Sequence, residues 1–527
     1  MQIDLRHASP DLIEADIAIV GAGAAGITMA RRLVAGGRRV ILLESGGLDY
    51  ESDTAALNAG FNVGEPYYEL ENARLRFFGG TTAIWGGRSA ELDAIDFEKR
   101  SWVPHSGWPF GLEEIKPWYA AAWKLLEVDS SSQRVCENGL AAAPWEELVV
   151  RHWSFDRKFD RFGYEANRDL VANPSLTLVL HATVREIALA GSGGEVESLD
   201  VRGPGGKRLK VQAKTYVLAA GGLENPRLLL ASNSVSPNGL GNDHDLVGRF
   251  FMEHPHARGG RIIGAPVWRL LRSFRRRRVD GVEYAPLLTP SAELQRRSKL
   301  LNSAVSLAAR PPADGSHTLI RRAYLHARHK IDPTRAGRGL WKSHRRISRA
   351  AKQFVGPISP WLKLRRGRME MALVVRAEQS PNPDSRVTLD RSVDAIGMPR
   401  IRLNWQLQDL DVKTVSEVVD ALGRDAAKMG LGQVEKAEWL NGNATKWISD
   451  RQVSAHHIGG YHHMGTTRMS DDLKSGVTDQ WGRVHGIANL YVAGSSLFPT
   501  AGWANPTLTI LALALRTSEH LLEGSDR

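Results

Sequence analysis

Residues 16–45, DIAIVGAGAAGITMARRLVAGGRRVILLES, constrain the fold more than any other stretch. Residues 17–20 form an apolar run suited to a strand buried on both faces of a parallel sheet. Gly21, Gly23 and Gly26 follow in G-x-G-x-x-G spacing, and residues 24–34 read as a helix. Glycines so spaced permit a tight turn and let the backbone approach a pyrophosphate seated on the helix N-terminus. A second apolar run, 40–43, ends in Glu44, placed to accept hydrogen bonds from an adenosine ribose. Strand, helix, strand and terminal acid specify a dinucleotide-binding unit, without separating FAD from NAD.

Three later segments extend this domain. LRFFGGTTAIWGGR (75–88) is a glycine-rich loop able to wrap a planar cofactor, with contacts expected at Gly79, Gly80, Thr81 and Trp85. LTLVLHATVREI (176–187), which carries Val184, alternates like a single strand. YVLAAGGLENPRLLLAS (216–232) is an apolar strand, a glycine turn at Ala220 and Gly221, and a helix with Pro226 near its start. The cofactor domain is therefore expected to be discontinuous, over 1–100, 176–250 and 455–527. Residues 101–175 and 251–454 form the substrate domain, in which 371–379, 385–389 and 400–407 read as strands and SPNPDS supplies a turn between the first two. The fold class is α/β: a Rossmann-type nucleotide domain joined to an α+β substrate domain with an antiparallel sheet.

A length of 527 residues with 42% hydrophobic content supports a large core in two domains. Cys136 is the only cysteine, which excludes a disulfide framework, a cysteine-held iron–sulfur cluster and a C-x-x-C-H haem site within this chain. MQIDLRHASPDLIEAD lacks the apolar core of a secretory signal, and a cytoplasmic location is the expectation. The net charge of +11 is local: residues 315–368 hold 15 Lys/Arg against Asp332 alone, while the remainder carries 54 against 57 acids. Within this basic insertion Leu340, Ile347, Ala351, Phe354, Val355 and Ile358 recur at helical spacing, opposite Lys342, Arg345, Arg346, Arg349 and Lys352. Three readings stand: a solvated packing helix, a peripheral contact with the inner membrane face through 340–361 with Trp341 and Trp361 as anchors, or recognition of an anionic substrate. Nucleic acid is not expected, because nothing beyond charge suggests a groove reader.

Near the other end, GYHHMGTTRM (460–469) precedes NLYVAGSSLFPTAGWANPTLTILALALR (489–516). His456, His457, His462 and His463 cluster there with no cysteine nearby, and no metal is expected. A neutral imidazole suits removal of an alcohol proton near pH 7. Asn505 stands where a helix N-cap is expected, before Pro506 and Thr507, and its amide is equally suited to orient a substrate oxygen. His254 and His256 in MEHPH are candidates for a pocket edge or for structural roles.

With these motifs together the chain resembles the glucose-methanol-choline oxidoreductase family, its C-terminal part being most similar to pyranose oxidases and their bacterial relatives. In that family a His in a Y/L-H-x-x-G-T motif and an Asn or His in a late N-P motif flank the flavin; here these are His462 and Asn505. The resemblance implies FAD, with His462 as base, Asn505 orienting the oxygen and flavin N5 taking a hydride. It further implies cofactor contacts at Gly494, Ser495, Asn505, Pro506 and Thr507 and substrate contacts at Gln379 and His463. Ile84 stands where pyranose oxidases often carry a flavin-linking histidine, so non-covalent FAD is expected. The reaction implied is oxidation of a secondary alcohol on a sugar, glycoside or cyclitol to a ketone, with O2 or a quinone or redox partner as electron acceptor. The alternatives are a sterol or aliphatic alcohol, or a non-redox FAD-containing lyase on the same scaffold.

Overall fold

The fold is given by a computed structural model. It describes residues 1–524 apart from 8–9, 129–139, 141–142, 157, 159, 192, 280, 313–333, 341–342, 345–346, 348–357, 443–444 and 450–459.

The nucleotide domain is built on a sheet whose parallel part runs Gln2–Asp4, Leu176–Leu180, Val40–Leu43, Leu12–Val20, Arg208–Leu218, with Leu490–Val492 added beside the last. Its central strands are apolar because both faces are covered, which removes the alternation of a half-exposed strand. The helix Ala24–Ala35 follows the first glycine loop, and the C-terminal helix Thr507–Gly524 lies along it. The two approach so closely that a Cβ on Gly36 would lie 2.5 Å from Leu522 Cδ2, while Arg32 reaches Glu519 at 2.5 Å. Thus a helix from the far end of the chain is held beside the dinucleotide loop.

The stretch 176–187 is two strands, not one. His181 takes φ +54 between Leu176–Leu180 and Thr183–Leu189. Its ring is drawn between two carboxylates, Asp4 Oδ1 at 2.8 Å and Glu51 Oε2 at 2.7 Å, so a tertiary contact overrides the alternating pattern.

The substrate domain carries an antiparallel sheet in the order Gln433–Lys436, His256–Ile263, Glu370–Ala377, Ser303–Arg310, Val282–Pro290, Leu148–Phe155, Arg88–Ser89. One face packs against the helix Asp409–Lys428, whose Val412, Val415, Val419 and Leu422 join Leu373, Val375 and Val305 in one core. Alternation along each strand sends the intervening residues to the other face. There His256, Arg376 and Ala304 are paired across three strands, and Trp153 from a fourth comes within 6.1 Å of Trp503 in the nucleotide domain. The expected strands after residue 379 belong elsewhere: Arg386–Val393 and Pro399–Asn404 form a separate three-stranded sheet with Gly60–Asn62. SPNPDS therefore carries the chain between sheets, as suits prolines that lack the N–H a sheet ladder needs.

Among the described residues no helix is long and apolar enough to cross a membrane. Most of the basic amphipathic run lies outside the described residues. Trp361, in the helix Ile358–Arg365, meets Trp268 edge-on at 5.8 Å.

Candidate active site

Three stretches converge where the two domains meet. The strand Leu490–Val492 ends at Gly494, whose φ of +113 favours glycine, and the chain then runs through Gly502 to Asn505 and into Thr507–Gly524. The segment from Gly460 to Met469 is clamped from both sides. Met464 and Met252 exchange two backbone hydrogen bonds of 3.0 Å each, Ser495 Oγ donates to His463 O at 2.7 Å, and Thr466 Oγ1 donates to Gly222 O at 2.7 Å. These clamps set His462 opposite Asn505, whose Nδ2 donates to His462 Nε2 at 3.1 Å. Both side chains are half-buried.

A buried polar layer supports the pair. His254 Nδ1 lies 2.8 Å from His462 Nδ1, the rings nearly perpendicular, and His254 Nε2 lies 2.8 Å from Gly502 O. Glu253 Oε1 accepts from Tyr67 Oη at 2.5 Å and from the His462 N–H at 3.0 Å, and its Oε2 accepts from the His254 N–H at 3.2 Å. Burial pushes this carboxyl up to about 8 against the pull of those three donors. Burial likewise drives His462 well below its ordinary value, with His254, His463 and the cations Arg88 and Arg376 acting in the same direction. Near pH 7 the His462 imidazole is therefore neutral, which leaves it free to accept a proton.

Gln379, expected to contact substrate, lies behind Glu253. It is fully buried, its Oε1 accepts from Glu253 N and from Trp405 Nε1 at 2.9 Å each, and its Nε2 donates to Gln406 O at 2.8 Å. Its polar groups are used up inside the protein, as a strut behind Glu253. His463 lies 6.0 Å from each of the Tyr67 and Phe251 rings, with Nε2 buried, lacking a hydrogen-bond partner and 3.9 Å from Glu253 Oε1. Among the described residues no group of three or more His, Cys, Asp or Glu could hold a metal; His456 and His457 lie outside them. Sequence reasoning offered His254 as a pocket-edge or structural residue from the MEHPH run, without its link to His462.

The residues present fit a dinucleotide. A Cβ on Gly26 would collide with the Gly21 carbonyl, so the first turn closes only with glycine there, while nothing lies within 4 Å of the Cβ position of Gly23 at the helix N-terminus. That open, donor-rich helix end is the kind of place a pyrophosphate occupies. Glu44 is held beneath the loop by the N–H groups of Ala22 and Gly46, each at 3.0 Å. The second glycine loop packs on the first: Gly79 N donates to Ala22 O at 2.8 Å, a Cβ on Gly80 would lie 3.4 Å from Gly23 Cα, and Thr81 Oγ1 accepts from Leu75 N at 3.2 Å. Trp85 Nε1 is buried without a partner. Val184 sits in the sheet opposite Val201; Ala220 N donates to Asn225 Oδ1 at 2.9 Å, and the Cβ positions of Gly221 and Gly494 meet nothing within 4 Å.

The description "FAD dependent oxidoreductase" matches residues 16–237, and "GMC oxidoreductase" matches residues 381–514. The chain is 26% identical to paromamine 6'-oxidase of Streptomyces fradiae, over 96% of this chain and 90% of that one. It is 21% identical to the fructose dehydrogenase large subunit of Gluconobacter japonicus, over 98% and 99% of the two. The fold is similar to that of pyridoxine 4-oxidase from Mesorbium loti, with a TM-score of 0.56 and 18% identity over 96% of this chain and 98% of that one. The chain thus belongs to the glucose-methanol-choline oxidoreductase family and is an FAD-dependent enzyme acting on CH–OH groups.

Proposed function

We propose that this enzyme oxidises a secondary alcohol on a sugar, glycoside or cyclitol to a ketone, and passes the electrons to O2 or to a quinone or redox partner. The observation that carries the reading is the half-buried pair His462 and Asn505, a neutral imidazole nitrogen and an amide donor facing each other at 3.1 Å. FAD, when bound, supplies the hydride acceptor. His462 takes the hydroxyl proton, which in a well-placed base is worth on the order of 10²–10⁴ in rate. Asn505 donates to the substrate oxygen and aims the carbon. The N-terminus of Thr507–Gly524 favours negative charge nearby by about 0.3–1 kcal/mol. Similarity along nearly the whole length to paromamine 6'-oxidase and to the fructose dehydrogenase large subunit supports a polyhydroxylated substrate.

The test is an anaerobic titration of the purified flavoprotein with sugars, glycosides and cyclitols, followed through the flavin absorption band. Bleaching by a member of the panel is expected, and readmitted air then separates O2 from other acceptors. A band that no carbohydrate bleaches, but that an apolar alcohol does, would overturn the substrate class.

A further inference from the structure

We infer that His254 is a positioning residue that holds His462 in the tautomer with its proton on Nδ1, leaving the Nε2 lone pair for the substrate hydroxyl. This rests on His462 being the proton acceptor.

The order of donors starts at a backbone carbonyl. Gly502 O can only accept, so His254 Nε2, 2.8 Å away, carries a proton. His254 is 2% exposed and burial holds it down to about 4, so near pH 7 it is neutral and has one proton to place. Its Nδ1 is therefore an acceptor, and the 2.8 Å contact with His462 Nδ1 is a hydrogen bond only when His462 donates. A neutral His462 then has a bare Nε2, and the group facing that nitrogen is a donor, Asn505 Nδ2 at 3.1 Å. In the opposite tautomer two lone pairs would face each other at Nδ1 and two N–H groups would face each other at Nε2. Both contacts would be lost together.

The anchor of this relay is rigid. Gly502 has φ +57, and a Cβ there would collide with Leu92 Cδ2 and lie 2.9 Å from Asp96 Oδ2, so its carbonyl direction depends on glycine. His254 is held at its own backbone by Glu253 Oε2 at 3.2 Å and is followed by Pro255, which restricts its conformation. The fixed second nitrogen is what a base working through one nitrogen requires. Elsewhere, loss of the correct tautomer alone has cost a catalytic histidine about 10⁴ in rate.

The experiment uses the full-length, FAD-loaded protein. Selective ¹⁵N-histidine labelling reports whether His462 Nε2 is bare or protonated, with His462→Gln assigning the signal. A bare Nε2 in the wild type is expected; a protonated one overturns the inference even if no His254 variant folds. His254→Leu keeps bulk but removes the acceptor, and should slow flavin reduction by about 10- to 100-fold, the loss of one hydrogen bond at a buried group. In the same variant the His462 signal should shift toward protonated Nε2. His254→Asn restores an acceptor at the δ position and should recover most of the rate. Unchanged reduction in His254→Leu, an unmoved His462 signal, or an Asn variant no better than Leu would each overturn the inference. Normal reduction in His462→Gln is a different failure, because it removes the proton-acceptor reading itself.

Discussion

Adjacent histidines with opposite duties make the sharpest test of this site. His463 is 7% exposed, lies beside the rings of Tyr67 and Phe251, and has Nε2 buried without a hydrogen-bond partner, 3.9 Å from Glu253 Oε1. Burial pushes it down to about 3, from an ordinary value of 6.5. The folded state therefore keeps His463 neutral where the unfolded chain binds a proton. Stability rises with pH wherever the unfolded state binds more protons, so on acidification this residue destabilises the fold progressively from about pH 6.5 down to about pH 3. At about 1.4 kcal/mol per unit at full slope, and half that at pH 6.5 where the unfolded imidazole is only half protonated, the interval from pH 6.5 to 4.5 removes about 2 kcal/mol. For a chain of 527 residues, that corresponds to about 2 °C in unfolding midpoint. His463→Leu removes both the proton and the orphaned nitrogen. It should be neutral to stabilising at pH 7 and should lack this part of the acid-induced drop, while flavin reduction stays within a few-fold of wild type. His462→Gln should keep FAD but lower reduction by about 10²–10⁴, and because burial lowers His462 as well, it should also lose its own share of the acid-induced drop. Thermal scans at pH 7 and 4.5 with saturating FAD, paired with anaerobic stopped-flow reduction, read both. An acid drop in His463→Leu equal to that of wild type would refute the linkage argument, and loss of reduction in that variant would refute the division of labour.

Gly26→Ala places a Cβ on the Gly21 carbonyl and should yield protein lacking flavin, read as the flavin-to-protein absorbance ratio; full occupancy would contradict the packing argument. Arg100 and Glu378 form a wholly buried pair with contacts of 2.7 and 3.1 Å, so Arg100→Met, which leaves the buried carboxylate without a counter-charge and with only the Asn302 N–H at 2.7 Å, should cost about 3–5 kcal/mol in thermal or denaturant unfolding. An unchanged midpoint would show that the carboxylate is discharged without penalty. With Ile84 before Trp85, acid precipitation should release all the flavin into the supernatant, and a yellow pellet would show a covalent link through another residue.

The parts of this molecule that could be read from sequence are those whose constraint is local. Gly21, Gly23 and Gly26 are legible because, within a span of six residues, the turn needs a positive φ at Gly21, leaves no room for a Cβ at Gly26 and keeps the backbone at Gly23 open at the helix start. The alcohol-facing pair was found by motif, and the structure brings His462 and Asn505 to within 3.1 Å across 43 residues. What escaped depends on partners that no local pattern announces. His254 reaches His462 across 208 residues through the Met252–Met464 bridge, and Gln379 is enclosed by Glu253, 126 residues away. The strand break at His181 has the same origin, since Asp4 and Glu51 lie 177 and 130 residues from it in sequence. One requirement was nonetheless readable. A base that works through one imidazole nitrogen needs a fixed partner on the other. Recognising His462 therefore already demanded a second buried polar group. MEHPH, with two histidines and an acid in an otherwise apolar neighbourhood, was the place to look for it. The position of that partner is a property of the fold, but its existence follows from the chemistry.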